Sequence, residues 1–363
     1  SFPDRRKTCK KYEKHITLPE IIKMMKNRLR ICLVIILMVG VADVVAQNLK
    51  EHTKLVGAVR NYGFFDNREV RTPYQRSQTL FGTMLDAEIG IKHENSYILA
   101  GKQVIKDFGT NSIAYNNFSF YYKYQSEKVS GAFGVFPRSL LQRELPDIFL
   151  YDSIRYYTPT LQGALIQYKG ENGSAEFYCN WLNRQSTTER EIFELVTDGC
   201  FYIKDFFTGW NMQLMHYSVP KPNNGLKVYD KAMINPYIGL EKEFCRFIDN
   251  ISIQLGMMLS LNRDRKDMIW KTPVGLLTDM SVTKGRLEVR DRTYIGQAQF
   301  SDYDIHGMQL HRGDPYYRSN LYNRSDFNYY LLNKKYVQCY AGASFHYTEG
   351  SIDCSQQVVL RID

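Results

Sequence analysis

The chain has 363 residues, is 14% aromatic with 27 Tyr and 20 Phe, and carries a formal net charge of +9. Residues 1–46 hold ten Lys/Arg against four Asp/Glu, so +6 of that charge belongs to the N-terminal segment and +3 to residues 47–363. A nucleic-acid footprint needs a basic patch in the folded domain; no Lys/Arg cluster stands out after residue 47, and that partner is set aside.

The first element in chain order is the apolar run Ile31–Ala42, twelve residues without charge. A membrane-spanning helix needs about 20 apolar residues, so the run is short. Lys26, Arg28 and Arg30 before it and Val44-Val45-Ala46 after it fit a secretory signal, with cleavage expected after Ala46. Translation is then expected to begin at Met24 or Met25, and residues 1–23 to be an extension outside the fold. The expected organisation is 1–23 extension, 24–46 signal peptide and 47–363 one domain. Past the leader, Cys179, Cys200, Cys245, Cys339 and Cys354 are odd in number and widely spaced, which indicates neither a zinc site nor a disulfide framework.

Residues 47–363 contain no linker, low-complexity tract or fixed-period repeat, and they are rich in short alternating segments. The clearest is "NISIQLGMMLSLN", 250–262. Ile251, Ile253, Leu255, Met257, Leu259 and Leu261 share one face; Ser252, Gln254, Gly256, Met258, Ser260 and Asn262 share the other. Period two over twelve residues marks a strand, not a helix. "VQCYAGASFHY" (337–347) and "SAEFYCNWL" (174–182) alternate likewise. "YIGQAQFS" (294–301) reads as Tyr294, Ala298 and Phe300 against Gln297, Gln299 and Ser301. Further strands are expected near 54–65, 80–92, 96–106, 117–126, 129–136, 161–169, 210–219, 234–246, 304–311, 326–332 and 352–362. Segments 139–158, 184–208, 220–232 and 263–292 read as long extracellular loops.

Alternation alone fits both a soluble sandwich, apolar inside, and a transmembrane barrel, apolar outside. Several of these strands exceed the roughly 5–6 residues usual in soluble sheets. Their polar faces carry Gly, Ser, Gln and Tyr, and "SQQVVLRID" runs as a strand to the last residue. The expectation is therefore an all-β chain forming an antiparallel transmembrane β-barrel of about 14–16 strands in the bacterial outer membrane, with a soluble sandwich as the alternative.

"VRNYGFFDNRE" (59–69), "YQRSQTLFGTMLDAEIGI" (74–91), "GVFPRSLL" (134–141) and "GDPYYRSNLYNRSD" (313–326) resemble uncharacterised porin-like outer-membrane β-barrel proteins of Bacteroidetes. The resemblance implies the outer membrane and no particular activity.

Chemistry is sought last. His52, His93, His216, His306, His311 and His346 form no H-E-x-x-H or other close metal pair, and there is no G-x-S-x-G, P-loop or G-x-G-x-x-G. No metal or cofactor is expected. Ser344 and His346 share a polar face, as a nucleophile and its base would and as two lumen residues in a hydrogen-bond network would. Asp66, Arg68 and Glu69 suit a rim ion-pair cluster or a ligand at a pore mouth. Tyr151, Arg155, Tyr156 and Tyr157 could form a glycan platform, an aromatic belt or loop packing. Arg312-Gly313-Asp314 reads as a turn.

The leading expectation is a non-enzymatic, porin-like channel whose lumen is lined by Glu176, Glu241, Glu243, Gln254, Gln297, Gln299 and His346. A glycan-binding plugged barrel or sandwich is the alternative, and a barrel-embedded hydrolase using Ser344 and His346 ranks third. The expected partners are outer-membrane lipid and an unknown small solute or glycan, with homo-oligomerisation left open.

Overall fold

The computed structural model describes residues 53–223, 225–244 and 248–363. The expected leader, its cleavage point, His52 and Cys245 fall outside those residues. The strands are β1 (Thr53–Glu69), β2 (Gln78–His93), β3 (Ser96–Asp107), β4 (Tyr115–Gln125), β5 (Val129–Pro137), β6 (Thr160–Lys169), β7 (Gly173–Asn183), β8 (Ile192–Ile203) and β9 (Phe206–Tyr217). They continue as β10 (Tyr229–Glu243), β11 (Asn250–Asp264), β12 (Trp270–Lys271), β13 (Val274–Lys284), β14 (Leu287–Gly296), β15 (Leu321–Lys334), β16 (Val337–Thr348) and β17 (Ser351–Ile362).

Consecutive strands pair antiparallel, and β1 pairs with both β2 and β17, so the sheet closes. β12 and β13 lie on β11 in one register, Asn262 opposite Lys271 and Leu259 opposite Val274, so they form one stave interrupted at Thr272-Pro273. Among the described residues the barrel therefore has 16 staves.

Which residues face which solvent separates the two all-β readings. On β11 Leu255 and Met257 are exposed, whereas Met258, Ser260 and Asn262 are buried. The other strands repeat the pattern, with Leu55, Phe118, Phe133, Ile203 and Ile238 pointing outward. Glu176, Asn180, Glu194, Gln213, Lys231 and Asn235 are buried in the interior. A soluble sandwich has the opposite polarity. A closed sheet with an apolar outer face satisfies its backbone hydrogen bonds without water and can sit in hydrocarbon.

The two ends differ. Turns at 94–95, 126–128, 170–172, 204–205, 285–286 and 335–336 are tight, and the chain's last strand ends on that side. Connections at 70–77, 138–159, 184–191, 218–228, 265–269 and 297–320 are longer and lie at the other end. Short periplasmic turns and long extracellular loops are the outer-membrane pattern.

Two long connections fold inward. Segment 138–159 carries α1 (Asp152–Tyr157), and 297–320 carries α2 (Tyr303–Leu310), which is kinked at Gly307. They pair with each other, Tyr151 N–H donating to the Arg312 carbonyl and Asp314 N–H to the Asp147 carbonyl, both at 2.8 Å. Gly313 lies between those bonds, where a Cβ would come 1.9 Å from the Ile148 carbonyl oxygen. Only glycine allows this approach. The pair is tied to walls far apart around the barrel: Asp147 accepts from Arg292 of β14 (2.9 Å), Arg68 of β1 meets Tyr151, and His311 meets Lys231 of β10 (3.2 Å). The first segment also reaches towards the tight-turn end, where Arg143 donates to Ser174 at 2.8 Å.

Several expectations need correction. Residues 304–310 are helical, with Leu310 buried and Asp304 and Ile305 exposed to solvent. Segments expected as loops contain β8, β13 and most of β14, because their inward Glu194, Asp198, Asp279 and Arg292 resemble loop residues in sequence. The "YIGQAQFS" strand stops at Gly296, with Tyr294 buried inside rather than facing out; Gln299 and Phe300 turn into the lumen together.

Candidate active site on the outer face

Glu176 and Gln254 face the interior of the barrel. Glu176 is buried and accepts from the Gln142 amide N–H and from Gln167. Glu241 stands at the tight-turn end, accepting from Asn250 and Tyr202, and Glu243 is exposed at its strand end. Gln299 is internal, bonded to Ser260 and Tyr294. Gln297 is exposed and caps the Val274 N–H, so it does not line the lumen, because the chain has already left the wall at Gly296.

The four residues expected as a glycan platform are spent on interior packing. Tyr151 is buried against Arg68, and Tyr156 stacks on Phe64 at 4.7 Å. Tyr157 donates to Asp107, and Arg155 donates to the Leu145 and Leu150 carbonyls. Asp66 and Arg68 pair inside the barrel, whereas Glu69 points outward. Arg312-Gly313-Asp314 is buried in the plug.

Ser344 and His346 do face the lumen, both buried, but no hydrogen bond joins them among the described residues. Ser344 donates to Asp326. His346 Nδ1 meets the Tyr322 hydroxyl at 2.7 Å, and its ring stacks on Tyr316 at 4.8 Å. Asp326, Arg292, Asp147, Arg324 and Asp152 form a continuous buried ion-pair network beside them. Both residues are thus knitted into the packed interior.

A second histidine has a different setting. On β9, Met215 and Tyr217 are buried while Met212 and Leu214 are exposed, so His216 faces outward with the latter pair. Register places Asp230 of β10 directly opposite it. His216 Nδ1 lies 2.9 Å from Asp230 Oδ1, with the side chains 16% and 21% exposed. An imidazole donating from Nδ1 to a carboxylate keeps its Nε2 lone pair free for a proton. Ser218, two residues on, lies on the same face by strand alternation; its N–H donates to the Glu191 carbonyl, which extends the β8–β9 ladder past the end of β9. No hydrogen bond between Ser218 Oγ and His216 is present among the described residues. Catalytic hydrogen bonds are often loose without substrate and tighten on binding.

The row containing the dyad crosses six strands in register: Trp181, Phe193, His216, Asp230, Arg263 and Trp270. Trp181 stacks on Phe193 at 4.8 Å, Phe193 on His216 at 5.0 Å, and Arg263 lies over Trp270 at 4.7 Å. Exposed Trp181 and Trp270 flank the row as residues of an interfacial aromatic girdle do. Below it run Leu214, Met212, Leu259 and Met257; beyond it stand the long rim loops. The dyad thus sits between the apolar outer band and the rim loops.

A family model described as Lipid A 3'-O-deacylase-type matches residues 47–363. The chain belongs to that family. The expectation that it is not an enzyme is corrected by this match, since the family is one of enzymes. Solved structures similar to the chain include Pseudomonas aeruginosa OprD, at 9% identity and TM-score 0.46, covering 85% of this chain and 94% of that one. A Rh. blastica porin mutant is 12% identical at TM-score 0.47, covering 85% and 100%. A loop-deleted OmpT of Vibrio cholerae is 7% identical at TM-score 0.49, covering 86% and 99%. No curated protein matches. The porin-like barrel described above rests on this chain's own strand ladder.

His216 is one of six histidines after residue 47, and nothing in the sequence alone singles it out. The His-x-Ser spacing was readable, but the carboxylate partner follows an eleven-residue connection, so it needs the β9–β10 register.

Proposed function

We propose that the protein is an outer-membrane esterase that removes an acyl chain from the lipid A class of phosphorylated glycolipid. His216, Asp230 and Ser218 would be its catalytic group. The observation that carries the reading is the His216–Asp230 hydrogen bond on the membrane-facing side of the barrel, at the depth where a glycolipid's ester bonds lie. Family membership supplies the reaction class.

In this reading Ser218 Oγ attacks the ester carbonyl and gives its proton to His216 Nε2. Asp230, across the strand pair, holds the imidazole orientation and stabilises the imidazolium. Collapse of the tetrahedral adduct breaks the bond to the sugar oxygen, which takes the proton back from Nε2. Water, deprotonated by the same imidazole, then releases the fatty acid and frees Ser218. The outward location lets an amphiphile reach the site by lateral diffusion, with its chains on Leu214, Met212 and Leu259.

The channel reading has less support. Among the described residues the inward segments pair with each other and with opposite walls across the lumen. The test is incubation of the refolded, micelle-bound barrel with lipid A, read by mass spectrometry. Loss of one acyl chain by the wild type but not by Ser218→Ala is expected. Equal turnover by both proteins would reject Ser218 as nucleophile.

A further inference from the structure

Asp230 serves more than its histidine. Its Oδ1 accepts from His216 Nδ1 (2.9 Å) and from Arg265 Nη2 (3.0 Å), while Oδ2 accepts from Arg265 Nε at 2.6 Å. Arg263 Nη2 stands 3.6 Å from the same Oδ2. Arg265 therefore grips the carboxylate with two parallel bonds, the strongest geometry available to this pair. One carboxylate between two guanidiniums leaves an uncompensated positive charge beside the imidazole. The neighbouring rim cations differ in this respect: Lys227 is balanced by Asp264 and Asp267, and Lys271 by Asp302.

The two arginines are held differently. Arg263 is on β11 with its guanidinium laid over Trp270. Arg265 lies just past the strand end and is 51% exposed, so it can swing away without disturbing the wall. The charged groups facing His216 are Asp230 from β10, Arg263 from β11 and Arg265 from the following loop. β8 contributes the uncharged Phe193, and Glu191 stands two residues further along the ladder, opposite Ser218.

We infer that Arg265 is a phosphate-reading positioning residue: an anionic phosphate on the substrate draws its guanidinium off Asp230 and thereby releases the carboxylate to His216. This rests on the reading of His216–Asp230 as the catalytic dyad. While Arg265 holds Asp230, the guanidinium competes with the imidazole for the carboxylate lone pairs and opposes the positive charge that develops on the ring. A substrate phosphate offers Arg265 an equivalent bidentate partner. Once the guanidinium has moved, the carboxylate can stabilise imidazolium as the serine proton arrives. Phosphorylated glycolipids would then be selected through rate as well as binding, while neutral glycolipids and ordinary esters at the interface would meet a carboxylate still held by Arg265.

The test compares full-length wild type and Arg265→Gln in micelles by two readouts. In the first, the His216 ring is titrated by NMR, assigned against His216→Gln, with and without inorganic phosphate. The wild-type pKa should rise with phosphate; Arg265→Gln should start higher, by about one unit, roughly a tenfold change in protonation equilibrium, and respond little. In the second, lipid A and its enzymatically dephosphorylated form are compared as substrates. The wild type should prefer the phosphorylated form about tenfold or more in kcat/KM. Arg265→Gln should lose that preference, with a raised KM for lipid A and a raised kcat on the dephosphorylated form. An unchanged His216 titration in Arg265→Gln, or an intact phosphate preference, overturns the inference. Absence of any turnover by the wild type counts against the esterase reading instead, and the titration still decides whether Arg265 controls the histidine.

Discussion

Asp230→Asn is the sharpest probe of the dyad, because it keeps the side chain's size and removes only its charge. A hydrogen bond to a charged group is worth about 1.5–3 kcal/mol and a neutral one about 0.5–1.5. Charge loss alone at this 2.9 Å contact therefore costs about 1–2 kcal/mol, roughly five- to thirty-fold in rate. The surroundings push the effect further. Arg265 donates twice to this carboxylate, so an amide there would turn its oxygen to the guanidinium and its NH2 to the imidazole. That orientation selects the wrong tautomer, which costs about 10⁴ in hydrolases built this way. We expect kcat for acyl release to fall by at least ~10³, with heat-modifiable migration unchanged because the pair lies on the rim. A rate within about threefold of wild type would refute the catalytic role of Asp230.

Other outcomes follow from the plug. Asp147 is buried and serves Arg292 (2.9 Å) and Tyr317 (2.8 Å); Asp147→Leu leaves buried guanidiniums underpaired and should cost about 3–5 kcal/mol, read as a lower denaturant midpoint in micelles. Burial in the plug, with Asp147 nearby, raises the Asp314 carboxyl to about 7. A raised carboxyl favours the folded state at low pH, and that contribution is lost as pH climbs from about 4 towards 7. The wild-type thermal midpoint should therefore rise as pH falls from 8 to 5, and Asp314→Asn should flatten the rise. Gly313→Val forces the two inward segments apart at the Ile148 carbonyl; conductance in planar bilayers should be higher for this variant than for the wild type.

The barrel was legible in sequence wherever one face was purely apolar and the other small or polar, as in β11 and β16. β8 and β13 escaped because their inward Glu194, Asp198 and Asp279 read as solvated loop charges until the wall around them is known. α2 shows no helical period in sequence because it is only eight residues long and is broken by a kink at Gly307. Polarity was the deeper problem for the site. Ser344/His346 and His216/Ser218 show the same two-residue spacing, and spacing does not reveal which faces lipid or which finds a carboxylate across the sheet. Only register, placing Asp230 opposite His216, separates a catalytic pair from two residues of a packed lumen.

The central claim is that ester hydrolysis occurs on the outer face at His216 and not in the lumen. Acyl release from lipid A by wild type, His216→Ala and His346→Ala, each verified as folded by heat-modifiable migration, tests it most directly. Loss of release in His216→Ala with release retained in His346→Ala is predicted; the reverse pattern would contradict the account.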